Sequence, residues 1–470
     1  MENLEKTLSN VQGGLLRGSS SWTRARYLFF RFRIEDPGSA ADALGRLKGL
    51  LVDATTKDDV SPFNVNVALT YRGLEVLGVD YDGEHRYTGD FRKPRGRGRI
   101  LDAFAAGMRE ADLGDVWPDD PGNEDWWSAD WSNLEPHLMV WIRAEEDHLD
   151  AITARAVVAA DGLVELGRQE AAALTDAREH FGFKDGVSQP SIRGVKPGLG
   201  KIAARGWTPL ELGEFILGHR DEGWQTLPLP EPYNVTKDGT FLVYRKLYQD
   251  VAAFNRFIDR NQQAFQEARS PGDPARKLVG EDADLGAKIM GRTRNGDPLI
   301  PATPGASGVA PNNDYRYQDD PDGYGCPVGS HVRRANPRDA LLFQGRLVNR
   351  HRIIRQGMPY GDPFVVGKNE GDDRGLIFIA INARIEDQFE FIQTQWLNAG
   401  RPFHLGDEPD PIAGNGGVCR VVVNGVPPFL AKVDEPFVEF RGGEYFFVPS
   451  FSGLDAIMEA AEQRAELSRW

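Results

Sequence analysis

Two stretches of the chain carry the same alternation of short apolar strands and amphipathic helices, and this repetition constrains the fold more than any other feature. In the first stretch, Tyr27–Ile34 (YLFFRFRI) has the apolar run of a buried strand. Pro37-Gly38-Ser39 then opens a helix, with Ser39 as its N-cap and Ala43, Leu47 and Leu50 on one face. Val65, Val67, Leu69 and Tyr71 alternate, as in a half-buried strand. Leu138–Ile142 is a further strand, a helix follows with Leu149, Ile152 and Ala156 along one stripe, and a last strand lies near Leu163–Leu166. Strand, helix, strand, strand, helix, strand is the α+β order called ferredoxin-like.

The second stretch repeats the pattern without repeating the residues. Thr240–Lys246 (TFLVYRK) is a strand, and Val251–Phe265 is a helix with Phe254, Phe257, Ile258 and Phe265 on its apolar side. Leu376–Ile381 (LIFIAI) is a buried strand, and Glu386–Leu397 is a helix whose Phe389, Ile392 and Trp396 face the core. Phe437–Phe440 and Tyr445–Val448 are expected to pair as a hairpin across Gly442-Gly443, and Leu454, Ile457, Met458 and Ala461 mark a C-terminal helix. The connector, 191–237, is rich in glycine and proline and includes LPLPEP, which cannot be helix. It divides the chain into 1–190 and 238–470. Two loops stand out: the acidic Asp112–Asn133, with Trp117, Trp126, Trp127 and Trp131, and Asp297–Gly325, long enough to suggest function.

A chain of 470 residues with 40% hydrophobic content can bury sizeable cores. Its net charge of −15 argues against nucleic acid or an anionic membrane as partner. It has no apolar run of membrane-spanning length, and the start, MENLEKTLSN, lacks the pattern of a secretory signal. Two cysteines, Cys326 and Cys419, are too few for a disulfide framework, so a cytoplasmic protein with free thiols is expected.

Against this acidic background the segment Cys326–Gly361 is basic. His331 is followed by Arg333, Arg334, Arg338, Arg346, Arg350, Arg352 and Arg355. Nearby cations disfavour a protonated imidazole, which leaves a neutral ligand for a metal. Clustered arginines suit a carboxylate or phosphate partner. A histidine ligand with an anionic partner fits haem, where one side chain holds the iron and cations meet the propionates. On residue types alone, a basic strand facing solvent is the commoner outcome.

The motifs decide between these. GSHVRRANPR followed by RIIRQGMPYG, the signature GxxDG at Gly182–Gly186 within HFGFKDGVSQP, and the start NVQGGLLRG together resemble the long-chain dye-decolourising (DyP-type) haem peroxidases, in that family's order along the chain. The resemblance implies two tandem ferredoxin-like domains of the dimeric α+β barrel type, with one haem b per chain in the C-terminal half. It implies a peroxidase that reduces hydrogen peroxide and oxidises dyes and small aromatic compounds through a ferryl porphyrin intermediate; iron release from haem and a non-enzymatic haem carrier or sensor are the alternatives. In residue terms it implies His331 as iron ligand, Arg334 as a cofactor contact, Asp185 as peroxide-side acid/base between Gly182 and Gly186, and Arg355 as charge stabiliser, with Arg352 as its competitor. Leu376 and Phe378, two apart on one strand, would roof the pocket. Glu386, or Asp387 beside it, would accept the second ring N–H of His331. Tyr360 and Trp396 are candidates to pass electrons from bulky reductants at the surface. Relatives commonly carry a second basic residue after the arginine; here it is Gln356. The state of assembly, monomer or homo-oligomer, is open.

Overall fold

The computed structural model describes residues 2–16, 21–56, 61–79, 102–115, 135–195, 209–227, 229–268, 284–301, 313, 315–341, 343, 345–415 and 419–467. The tryptophans of the acidic loop, Trp117, Trp126, Trp127 and Trp131, lie outside the described residues.

The first half supplies β1 (Arg24–Arg31), α1 (Pro37–Lys48), β2 (Phe63–Leu69), β3 (Leu138–Ala144), α2 (Glu146–Ala159) and β4 (Val164–Ala172). The second supplies β5 (Thr240–Gln249), α3 (Val251–Glu267), a short α4 (His331–Ala335), β6 (Ile354–Arg355), β7 (Met358–Tyr360) and β8 (Gly375–Asn382). A helix with π-type winding follows (Glu386–Glu390, continuing as Ile392–Leu397), then the hairpin of β9 (Cys419–Val423) and β10 (Phe429–Val433), β11 (Val438–Val448) and α5 (Phe451–Leu467).

The strand order β4-β1-β3-β2-β11-β5-β8-β6 shows the repetition directly. Each half places its last strand beside its first, then its third, then its second, which is the ferredoxin-like arrangement. The halves join where β11 meets β2, at Phe447 opposite Leu69. The outermost strands β4 and β7 lie against each other, so the sheet curls into a barrel.

Period-two alternation sorts the side chains. Leu28 and Phe30 of β1 join Leu44, Leu47, Ile152, Leu454 and Ile457 under α1, α2 and α5. Tyr27 and Phe29 join Trp141, Tyr244, Ile379 and Phe446 on the other face. In the second half α3 leans away from the sheet. Its Phe254, Phe257 and Phe265 pack instead on Phe181, Phe183, Phe429 and Phe437, and the sheet face left uncovered is the floor of a cavity.

Three local expectations are corrected. The cap of α1 is Asp36, whose Oδ1 accepts from Ser39 N at 3.1 Å; the Ser39 hydroxyl instead donates to Gly162 O. Tyr71 is not a strand residue: β2 ends at Leu69, and Thr70 caps a helix that starts at Tyr71. Gly442-Gly443 is no hairpin turn. β11 runs straight through it with a bulge between Phe440 and Gly442, and a Cβ on Gly443 would stand 2.6 Å from Tyr244 O on the neighbouring β5. The glycines serve close strand approach, not reversal.

Candidate active site

The GxxDG signature is a narrow hairpin. Glu179 N donates to Phe183 O at 2.9 Å and Asp185 N to Ala177 O at 2.9 Å. Gly182 turns the chain at φ +88° and Gly186 leaves it at φ +70°, backbone that side-chain-bearing residues avoid. Asp185 thereby ends one arm with its carboxylate half exposed. Its Oδ1 accepts from Gly186 N at 2.6 Å and from Arg355 Nη1 at 3.1 Å.

Arg355 comes from β6, fixed to β8 opposite Ala380. Its Nη2 donates to Ser188 O at 3.1 Å. The side-chain amide of Gln189 clasps the Arg355 backbone from both sides, accepting from its N at 3.1 Å and donating to its O. Gln189, just beyond the signature, was not singled out from the sequence. Arg355, not Arg352, meets the carboxylate.

His331 is the first residue of α4. Its Nδ1 lies 3.1 Å from Asp410 Oδ1, while Nε2 has no hydrogen-bond partner among the described residues. Asp410 is buried and also accepts from Ile412 N at 2.9 Å and Ala413 N at 2.8 Å. Burial alone would push its carboxyl up. The charge and hydrogen bond of His331, then Arg334 and the Ala413 N–H, outweigh that and hold it below the ordinary carboxylate range. The partner of the ring is therefore Asp410 and not Glu386 or Asp387. Those two sit at the start of the π-wound helix, where Asp387 O accepts from a different imidazole, His351. Asp410 is 79 residues from His331 and leaves no spacing signal. Its one local cue is the Asp410-Pro411 pair, a short acid before a proline, as in an Asx-type turn.

Asp185, Arg355, His331, Leu376 and Phe378 all line one cavity, together with Arg338 and Arg352. Its volume of about 270 Å³, open to solvent on one side, exceeds what a peroxide molecule needs. Leu376 and Phe378 share a face of β8 and form part of its apolar wall with Phe389 and Phe440.

Arg352 tests what else the cavity is built to hold. Its side chain is buried, and its guanidinium meets no acceptor among the described residues. Burial first, then the adjacent cations Arg338 and Arg355, push its pKa down to about 9. An uncompensated buried cation is costly unless an anion arrives. Haem fits this need, since it offers carboxylates to Arg352 and Arg338 and an iron to the unengaged Nε2 of His331.

The remaining expected contacts fall elsewhere. Arg334 is fully buried and donates to the carbonyls of Trp396, Leu397, Ala399 and Glu408. It ties the end of the π-wound helix in place and does not reach the cavity, because its donors are spent. Gly182 and Gly186 shape the hairpin and are not cavity walls. Tyr360 and Trp396 are 3% and 2% exposed, so neither offers a surface contact. Tyr360 donates its hydroxyl to Asp373 at 2.9 Å, and Trp396 stands edge-on to His351 and Phe391.

Two ferredoxin-like units in one barrel, with a cleft opened in the second, define an α+β fold of the dimeric barrel class. Residues 224–402 match the family described as Dyp-type peroxidase, C-terminal. The chain is 28% identical over 486 residues to a dye-decolorizing peroxidase of Mycetinis scorodonius, covering 96% of this chain and 87% of that one. It is 31% identical over 306 residues to a multifunctional dye peroxidase of an Amycolatopsis species, covering 60% and 61%. Among solved structures, an ancestral D-type dye decolorizing peroxidase superposes with a TM-score of 0.74 at 26% identity, over 96% of this chain and 99% of that one. A dye-decolorizing peroxidase in complex with 2,6-dimethoxyphenol gives 0.73 at 25% identity, with the same coverage. Residues 224–402 thus match the family's C-terminal model, and along nearly its whole length the chain is similar to dye-decolourising peroxidases, which are hydrogen-peroxide-dependent oxidoreductases.

Proposed function

We propose that this protein is a peroxidase that holds haem b in the cavity and works on hydrogen peroxide with Asp185 and Arg355. His331 Nε2 is the iron ligand, and Asp410 at Nδ1 fixes the ring's orientation and makes it a stronger donor. Arg352 and Arg338 hold the propionates. When bound, the haem supplies the iron centre at which peroxide is reduced.

The protein's own share of the chemistry is proton and charge management. Asp185 accepts the first peroxide proton and returns it to the departing oxygen. Arg355, in contact with that carboxylate, stabilises negative charge as the O–O bond breaks. The apolar wall around Leu376 and Phe378 limits water beside these groups. Small aromatic compounds and dyes are the reductants. For those too large to enter, Tyr360 and Trp396 serve as relays beneath the surface; the Tyr360 proton has a ready acceptor in Asp373.

The contact between Asp185 and Arg355 over the cavity of His331 carries this reading. A mere haem carrier has no use for both groups. The test is stopped-flow absorbance of the haem-loaded protein mixed with peroxide. D185N and R355L should bind hemin normally and react with peroxide at least about a hundredfold more slowly, while H331A should bind hemin weakly. Wild-type peroxide kinetics in D185N would refute the assignment.

A further inference from the structure

Glu179 has no part in the chemistry proposed above, yet it lines the same cavity and stands at the turn of the hairpin that carries Asp185. Its Oε2 accepts from Phe181 N at 2.8 Å and from Gln249 Nε2 at 2.6 Å, and its Oε1 accepts from Phe183 N at 2.8 Å. Its backbone closes the same turn, with Gly182 N donating to Glu179 O at 2.9 Å. No lysine or arginine pairs with this carboxylate among the described residues.

The outer side of the turn is held by different groups. Arg178 Nη1 donates to Gly182 O at 2.7 Å, and Arg294 Nη1 donates to Phe181 O at 3.0 Å. The two arginines take carbonyls, so they leave the inward N–H groups of Phe181 and Phe183 to Glu179. Three donors converge on it, and an ionised carboxylate is an acceptor at both oxygens, with no donor of its own to misplace. Gln249 lies on β5, so the same contact fastens the hairpin to the cavity floor. Burial and the charge of Asp185 push the Glu179 carboxyl up despite these three bonds. A group kept there without a cation is doing more than filling space.

We infer that Glu179 is a positioning residue for the peroxide reaction: it holds the turn of the hairpin, and so fixes where Asp185 meets Arg355. This rests on the role of Asp185 proposed above. A loosened turn displaces the carboxylate by a fraction of its contact distance, and misplacement of about 1 Å lowers a reaction rate about a hundredfold.

The experiment is a double-mutant cycle on the haem-loaded protein, read by stopped flow with two probes. One probe is hydrogen peroxide; the other is hydrogen cyanide, whose binding needs proton acceptance in the cavity but no turnover. E179Q keeps the size of the side chain and replaces one acceptor with a donor. It should slow both association rates tenfold to a hundredfold, leave hemin affinity within about twofold, and leave the KM for a small phenolic reductant unchanged. E179Q/D185N should be no slower than D185N, because Glu179 acts only through Asp185. Should E179Q fail to fold, Q249L removes one of the three donors and should slow both probes several-fold. Losses that multiply in the double mutant, hemin affinity that falls in step with the rates, or wild-type rates in both E179Q and Q249L would each overturn the inference. A slow D185N beside a normal E179Q sinks the Glu179 role alone, whereas a D185N at the wild-type rate sinks both proposals.

Discussion

Replacing Asp410 by asparagine isolates one charge at the back of the proposed haem ligand. Asp410 Oδ1 alone takes three donors: His331 Nδ1, Ile412 N and Ala413 N, at 3.1, 2.9 and 2.8 Å. An asparagine with its oxygen in that place keeps all three contacts and removes the charge, and its Nδ2 takes the buried position of Oδ2, which has no partner among the described residues. Hydrogen bonds to a charged group contribute about 1.5–3 kcal/mol and neutral ones about 0.5–1.5, so the imidazole loses about 1–2 kcal/mol of support. At 1.4 kcal/mol per tenfold, hemin affinity should fall about 5- to 30-fold, in the range that carboxylate partners of metal-bound histidines show. Titrating apoprotein with hemin measures this directly, and the charge-transfer band of the ferric protein should move as the ring donates less to the iron. D410A, which removes the oxygen as well, should be worse than D410N. Equal affinities in wild type and D410N would show that the contact serves the fold of the 410–413 turn and not the ligand.

R352M should move two properties in opposite directions: removing an uncompensated buried cation should stabilise the apoprotein by about 1 kcal/mol in urea unfolding, while hemin affinity drops about tenfold or more through loss of a charge-assisted contact. Glu214 is buried, and burial pushes its carboxyl from 4.5 up to about 7, against the pull of Arg384 at 3.1 Å. A raised folded-state pKa means stability that is present below pH 4.5 and lost as pH climbs through about 7. The stability difference between wild type and E214Q should therefore shift against the wild type by about 3 kcal/mol across that window, and parallel pH profiles would contradict it. G443A should destabilise by about 2 kcal/mol, because the new methyl would meet Tyr244 O at 2.6 Å and Met108 Sδ at 2.5 Å; an unchanged melting temperature would mean that β11 and β5 can part there.

What the sequence disclosed and what it hid divide along one physical line. Asp185 and Arg355 stand in short motifs because tight turns and strand ends impose local residue requirements. Asp410 could not be found that way, since a contact across 79 residues leaves no local pattern. Arg334 was assigned to the cofactor because it stands in the basic motif beside His331, yet the carbonyls of Trp396, Leu397, Ala399 and Glu408 take up its guanidinium instead. Gly442-Gly443 between two alternating runs looks like a hairpin turn, and only the neighbouring strand shows that the glycines make room. β6 and β7 span two and three residues, too few for any period to show, although they carry Arg355 into the site.

The same supersecondary unit, used twice, encloses a packed core in one half and a cavity in the other, and β5 shows how. Phe241 and Val243 on this strand belong to the core under the helices. Two residues further along the same face the sequence changes to Arg245, then Leu247, then Gln249, and all three line the cavity. Arg245 is buried against Asp115 and Gln393, and Gln249 reaches Glu179. Polar groups with these commitments could not lie beneath the apolar stripe of a helix without losing partners, so α3 packs on its own phenylalanine cluster instead. The cavity is thus written into every second residue of one strand: the repeat sets the architecture, and the polar half of β5 keeps its second copy open.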